Sequence, residues 1–130
     1  MDEKLSDKQK IEQTIQDYFN GMHYGRSDLI LKCFHEDGGM RGYMSDTGKR
    51  SDMSRQAFAD FVDARPVPAE TGEPFDMTIR SIEIAGRVAM VEVRDLYMGL
   101  QFTDYLLLVN EDDHWSILNK VWHADEPEKS

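Results

Sequence analysis

The chain has 130 residues, with 25 acidic and 15 basic side chains and a formal net charge of −10. Phosphate neutralisation needs a basic surface, so this balance argues against nucleic acid and against anionic membrane surfaces as partners. The length suits one domain, taken as 1–130 with a core at about 7–123, and 40% hydrophobic residues are enough for a folded core.

Cys33 is the only cysteine, which excludes an intramolecular disulfide and a cysteine-based zinc site. Met1-Asp2-Glu3-Lys4 is charged and no long apolar run follows, so neither a secretory signal nor a membrane span is expected, and the cytoplasm is the expected location. Residues 1–4 and 125–130 read as frayed ends.

Residues 7–24 read as a helix. Ser6 and Gln9 form a capping-box pattern, and Ile11, Ile15, Tyr18, Phe19 and Met22 recur at helical spacing. Gly25 is a natural stop. Ser27 or Asp28 then caps a short helix that turns Leu29, Ile30, Cys33 and Phe34 inward. The glycine-rich run 38–50, with turn chemistry at Asp46-Thr47-Gly48, suits a short strand pair. Ser54 caps a third helix whose buried face is Phe58, Phe61 and Val62. Three prolines make 66–74 a loop.

After Phe75 the character changes. "FDMTIRSIEIAG" and "RVAMVEVRDLYM" are strand-like and flank an Ala85-Gly86-Arg87 turn. A second hairpin spans 102–123 and turns at 110–113. Helices followed by four long antiparallel strands give an α+β architecture. In 102–109, Phe102, Leu106 and Leu108 share one face, while Tyr105, Leu107 and Val109 share the other. In 114–123, Trp115, Ile117 and Val121 oppose Leu118 and Trp122. A sheet wetted on one side is polar on that side, so both faces are expected to be covered, one by helices and one by a second copy of the chain.

The order of elements, with Tyr18-Phe19-Asn20-Gly21, Phe34-His35-Glu36-Asp37, Thr103-Asp104-Tyr105-Leu106 and the run Trp115 to His123, resembles the nuclear transport factor 2-like superfamily, in its SnoaL-like and "putative lumazine-binding" branch. The resemblance covers about residues 8–123. It implies a curved antiparallel sheet rolled into a cone, the cystatin-like roll, wrapped by about three N-terminal helices. It does not choose a function, because the superfamily includes isomerases, cyclases, dehydratases, carriers and association domains.

The polar groups that interrupt the apolar pattern are the site candidates. Asp104 shares parity with Phe102 and Leu106, so its carboxylate either enters the cone as an acid or base or is held by a neighbouring Tyr or Arg. Asn119 and His123 are expected on the Trp115 face, where His123 would form an acid–base couple with Asp104. Lys120 is expected to face out. Tyr18 is either core or, where steroid-isomerase-like relatives place an oxyanion-stabilising tyrosine, a donor into the pocket. Those relatives carry a base on the first short strand, but here Gly39-Met40-Arg41-Gly42-Tyr43-Met44 holds no acid. Their acid before the Asp104 position is replaced by Leu100, so steroid-type isomerisation is not expected.

Tyr18, Phe34, Tyr43, Phe58, Phe102 and Trp122 supply apolar or stacking surface. The methionines read as core filling or as an adaptable lining. His35 reads as a pocket-mouth group or a helix C-cap, and His23 and His114 as surface groups. The four histidines show no metal-ligand spacing, and no cofactor is expected. Three functions stay open: a carrier of a small apolar or heterocyclic molecule, a cofactor-independent isomerase, cyclase or dehydratase using Asp104 or His123, and a dimerisation domain with a filled cone.

Overall fold

The computed structural model describes residues 5–126. Helix α1 (Asp7–His23) opens on a complete capping box. The Ser6 hydroxyl accepts from the Gln9 N–H at 3.1 Å, and the Gln9 side chain accepts from the Ser6 N–H at 2.9 Å. Gly25, at φ +64°, lets the chain turn sharply into α2 (Ser27–Cys33). Strands β1 (Phe34–Met44) and β2 (Arg50–Ser54) form a longer hairpin than the glycine-rich run suggests. The Ser54 hydroxyl caps α3 (Arg55–Ala64) by accepting from the Ala57 N–H at 3.1 Å.

The proline-rich segment is not all loop. Pro68–Thr71 forms one helical turn, α4, with Pro68 at its start, where the missing N–H costs nothing. Strands β3 (Met77–Ala85), β4 (Val88–Tyr97), β5 (Leu100–Glu111) and β6 (His114–Asp125) follow. Gly86 lies at φ +60°, and Asp112 and Asp113 lie at φ +54° and +63°. Two left-handed residues in a row suit a two-residue hairpin turn.

The sheet order is β2-β1-β6-β5-β4-β3. All neighbours are antiparallel except β1 and β6, which run parallel. The sheet is therefore mixed rather than purely antiparallel. The helices between β1 and β3 carry the chain across, so that the last strand returns beside the first. The expected frayed ends at 1–4 and 127–130 lie outside the described residues. Asp125 is not frayed; it is the last residue of β6, paired with Gln101.

The concave face meets the helices. Ile11, Ile15, Tyr18 and Met22 of α1 and Phe58 and Val62 of α3 are buried against Val91, Val93, Leu106, Leu108, Trp115 and Ile117. The α1–β6 contact is also polar. The Thr14 hydroxyl donates to the Trp115 carbonyl at 2.9 Å, and Trp115 Nε1 donates to Asp7 Oδ1 at 3.1 Å. The convex face is open, and Tyr105, Leu107, Leu118 and Val121 are exposed there.

A β-bulge decides which side chains reach the cone. Leu108 pairs with Ile117 but Leu107 pairs with Asn119, so Leu118 is an extra residue on β6. Trp115 and Ile117 point inward before the bulge. After it the parity inverts: Lys120 and Ala124 are buried, while Val121 and His123 are exposed. This overturns the simple alternation expected along β6.

Candidate functional site

Four charged or polar side chains from four elements converge inside the cone. Asp104 stands mid-way along β5 and is fully buried. Asp95 stands on β4, where Val93 is the direct partner of Asp104, so the two acids are diagonal neighbours on the concave face. The Tyr18 hydroxyl of α1 donates to Asp104 Oδ2 at 2.6 Å. Lys120 Nζ of β6 lies 3.9 Å from the same oxygen. The ammonium also sits 4.9 Å from the centroids of the Tyr18 and Phe58 rings and 6.0 Å from that of Phe102. Such ring faces stabilise a cation where water is scarce.

Asp104 Oδ1 and both carboxyl oxygens of Asp95 accept from no N–H or O–H group of another residue type among the described residues. Burial raises the Asp95 pKa well above the usual carboxylate range. The Asp104 charge and a hydrogen bond shared with Asp104 raise it further, and Lys120 opposes them. Burial and the neighbouring acid thus both favour the protonated form of Asp95, as like charges in a dry site require. Burial, then the charges of Asp104 and Asp95, also hold Tyr18 well above an ordinary phenol, so it is a donor and not a base.

Two of these groups, Asp95 and Lys120, line a cavity of about 240 Å³. Its walls include Met40, Met53, Phe58, Phe102 and Trp122, and Asp95 and Lys120 are the ionisable side chains that reach it. Trp122 takes its place because Gly42 pairs with it on β1. A Cβ on Gly42 would lie 2.0 Å from the indole ring, so only glycine lets the ring lie across that strand. Phe102 packs on Trp122 with ring centroids 5.3 Å apart. Larger depressions, of about 590 and 560 Å³, are open surface grooves that contain neither Asp95 nor Asp104.

Of the residues singled out from sequence, Phe58, Phe102 and Trp122 line the cavity. Tyr18 and Asp104 sit behind its polar end. Phe34 is buried in the core, edge-on to Tyr18 and Phe58 at 6.0 Å from each. The expected inward placement of Asn119 and His123 is corrected by the bulge. Asn119 borders the open groove beside Leu118, and His123 is exposed, with Nε2 3.1 Å from Asp125 Oδ1. Tyr43 is also exposed. Lys120, expected to face out, faces in.

The other histidines and the cysteine stand apart from this cluster. His35 Nδ1 accepts from the Asp37 N–H at 3.0 Å, and Nε2 pairs with Glu111 at 2.6 Å. His23, expected at the surface, is buried between Tyr24 and Phe75, with ring centroids 4.9 and 5.0 Å away. Burial pushes the Cys33 thiol far up, so it is no nucleophile. Among the described residues no group of three or more His, Cys, Asp or Glu side chains is placed to hold a metal ion. No helix among them is long and apolar enough to cross a membrane.

Sequence reasoning missed Asp95 and misplaced Lys120. Asp95 was findable: Ala89, Val91, Val93, Asp95 and Tyr97 alternate on one face of β4, and an acid in that row points where its apolar neighbours point. Lys120 was not, because its direction depends on the bulge at Leu118.

The curved sheet wrapped by helices, closing on a cavity, is the nuclear transport factor 2-like, cystatin-like α+β fold. Solved structures of that fold superpose closely. One is an NTF2-like protein of unknown function from Shewanella baltica, 21% identical, with a TM-score of 0.82, covering 95% of this chain and 100% of that one. Another, from Methylobacillus flagellatus, is 26% identical with a TM-score of 0.79, covering 94% of this chain and 96% of that one. Within that fold the chain belongs to the "Putative lumazine-binding" family, whose model matches residues 6–123. It is also similar to a protein named aldolase FrzH from Cladobotryum sp., 28% identical over 107 residues, which are 82% of each chain.

Proposed function

We propose that the protein binds a small, largely apolar or heterocyclic molecule inside the cone. The observation that carries this reading is the cavity of about 240 Å³ whose largely apolar lining includes two buried, ionisable side chains, Asp95 and Lys120. A concave apolar site with a few convergent polar groups is the usual form of a small-molecule site. An association domain would gain stability by filling that space and by replacing Asp95 with an apolar residue. In our reading Phe58, Phe102 and Trp122 grip the body of the ligand, Asp95 and Lys120 meet its polar end, and Tyr18 and Asp104 hold that end in place. Native mass spectrometry of the purified protein, set against its denatured mass, tests this. Extra non-covalent mass is expected, and Met53→Trp, which fills the cavity, should remove it. Extra mass that persists in Met53→Trp would place the ligand elsewhere.

A second reading has its own support. Asp95, its pKa raised by burial and by Asp104 beside it, is suited to proton transfer at a carbonyl compound, and a relative is named an aldolase. Aldol and isomerase chemistry both begin by removing a proton next to a carbonyl. The test is exchange of the α-protons of 1-tetralone in D₂O, followed by NMR. Acceleration that disappears in Asp104→Asn supports an enzyme; a rate equal to buffer leaves a carrier.

We also propose a homodimer through the convex face. Tyr105, Leu107 and Val121 are 49%, 45% and 46% exposed there, forming an apolar patch on an acidic protein. Light scattering after size exclusion should give twice the chain mass, and Val121→Glu should give the monomer.

A further inference from the structure

The polar end of the cavity also carries information about the ligand, taking the small-molecule reading above as given. Three of the four buried side-chain atoms without a partner among the described residues belong to this one cluster: both oxygens of Asp95 and Oδ1 of Asp104. Buried polar atoms are seldom left unpaired, because each costs on the order of 1–3 kcal/mol. A proton kept on Asp95 by burial and given to Asp104 Oδ1 satisfies one oxygen of each. That leaves a single Asp95 oxygen, and Asp95 is the acid that lines the cavity. It requires a donor.

Lys120 has the opposite need. Its ion-pair partner among the described residues, Asp104 Oδ2, lies at 3.9 Å, beyond hydrogen-bond length, and that oxygen already accepts from Tyr18 at 2.6 Å. The Lys120 side chain is 4% exposed, and it lines the same cavity. It requires an acceptor.

We infer that the site takes a ligand with a carbonyl oxygen directly beside an N–H donor, as in a cyclic amide, the oxygen accepting from Lys120 and the N–H donating to Asp95. The charge count favours a neutral edge. One ammonium, one carboxylate and one protonated acid already cancel, so a cationic or anionic ligand would leave an unbalanced charge in a dry site. The apolar walls of Phe58, Phe102 and Trp122 suit a flat ring system behind that edge.

Isothermal titration calorimetry with three probes of similar shape decides this. Quinolin-2(1H)-one presents the carbonyl and the N–H. Its N-methyl derivative keeps the carbonyl and loses the donor. Protonated 2-aminoquinoline presents donors and a positive charge only. The lactam should bind about tenfold more tightly than either of the others, as loss of one hydrogen bond at a buried acceptor implies. Asp95→Leu should lower the lactam to the level of its N-methyl derivative. Asp95→Asn, whose amide reproduces the donor and acceptor of a neutral acid, should restore the preference. Equal affinity for the lactam and its N-methyl derivative would overturn the inference while leaving the cavity a binding site. Tightest binding by the aminoquinolinium would also overturn it, because it would mean that both carboxyl groups are ionised. Binding of none of the three would remove the cavity reading and the inference together.

Discussion

The two ends of the concave face are built on opposite terms. At the end near Trp115, Leu108 and Ile117 pack under α1, the Thr14 hydroxyl is bonded to a β6 carbonyl, and Trp115 Nε1 is bonded to Asp7. At the other end Asp95, Asp104 and Lys120 replace aliphatic residues in the same rows of the same strands, and three carboxyl oxygens find no N–H or O–H donor outside the acid pair among the described residues. The first arrangement is what stability alone selects. The second costs stability, and folded proteins keep such groups where they meet a ligand. The bulge at Leu118 lies between the two ends and separates them. Before it, β6 sends Trp115 and Ile117 into the core; after it, β6 sends Lys120 and Trp122 to the cavity.

Substitutions that exploit this contrast should differ in sign as well as size. Ile117→Ala, at the packed end, should cost about 2–5 kcal/mol by denaturant unfolding, because it opens a space that cannot collapse. Lys120→Met should cost roughly 3–5 kcal/mol, since it leaves the Asp104 charge buried and unpaired. Adding Asp104→Leu to that variant should recover most of the loss; a purely additive double variant would mean that the two groups are not coupled.

Asp95→Leu should go the other way and stabilise the protein by about 1–3 kcal/mol, because it removes unpaired polar atoms from the interior. A loss of stability would show that Asp95 is a structural group. The smallest effect belongs to the convex face. Tyr105→Lys should change the unfolding free energy of the monomer by less than about 0.5 kcal/mol while abolishing the dimer.

Asp95 should also mark the pH profile. Its pKa is raised in the folded protein, so the unfolded chain loses this proton first, at about pH 4. The stability it contributes is fully present below that pH and is lost as pH rises toward the folded value. The slope approaches about 1.4 kcal/mol per pH unit between the two values. Asp95→Asn should lack this component, and the difference between the two unfolding curves across that window measures it.

Much of the fold was legible. The capping box at Ser6, the cap at Ser54, the stripe of α1 and the alternation of β5 each reflect local chemistry that the chain carries in order. The parallel pairing of β1 with β6 was not legible, because it joins segments 83 residues apart at Phe34 and Ile117 and no local pattern announces it. The site was half legible for the same reason. Asp104 follows strand parity, and Asp95 follows it equally. Lys120 and His123 exchange places because one extra residue enters β6, and the apolar run Ile117-Leu118 gives no local sign of which residue is extra. The single turn at Pro68 escaped because prolines exclude a helix interior but not its first position.

The most direct test of the polar end is the protonation state of Asp95 itself. With aspartate labelled at the carboxyl carbon, NMR titration from acid pH upward should show one buried carboxyl that keeps its proton well above the ordinary carboxylate range. That signal should vanish in Asp95→Asn and shift when a ligand enters the cavity. If every aspartate titrates in the ordinary carboxylate range, Asp95 is not held protonated. The cone then ends in a hydrated ion cluster rather than a preorganised site.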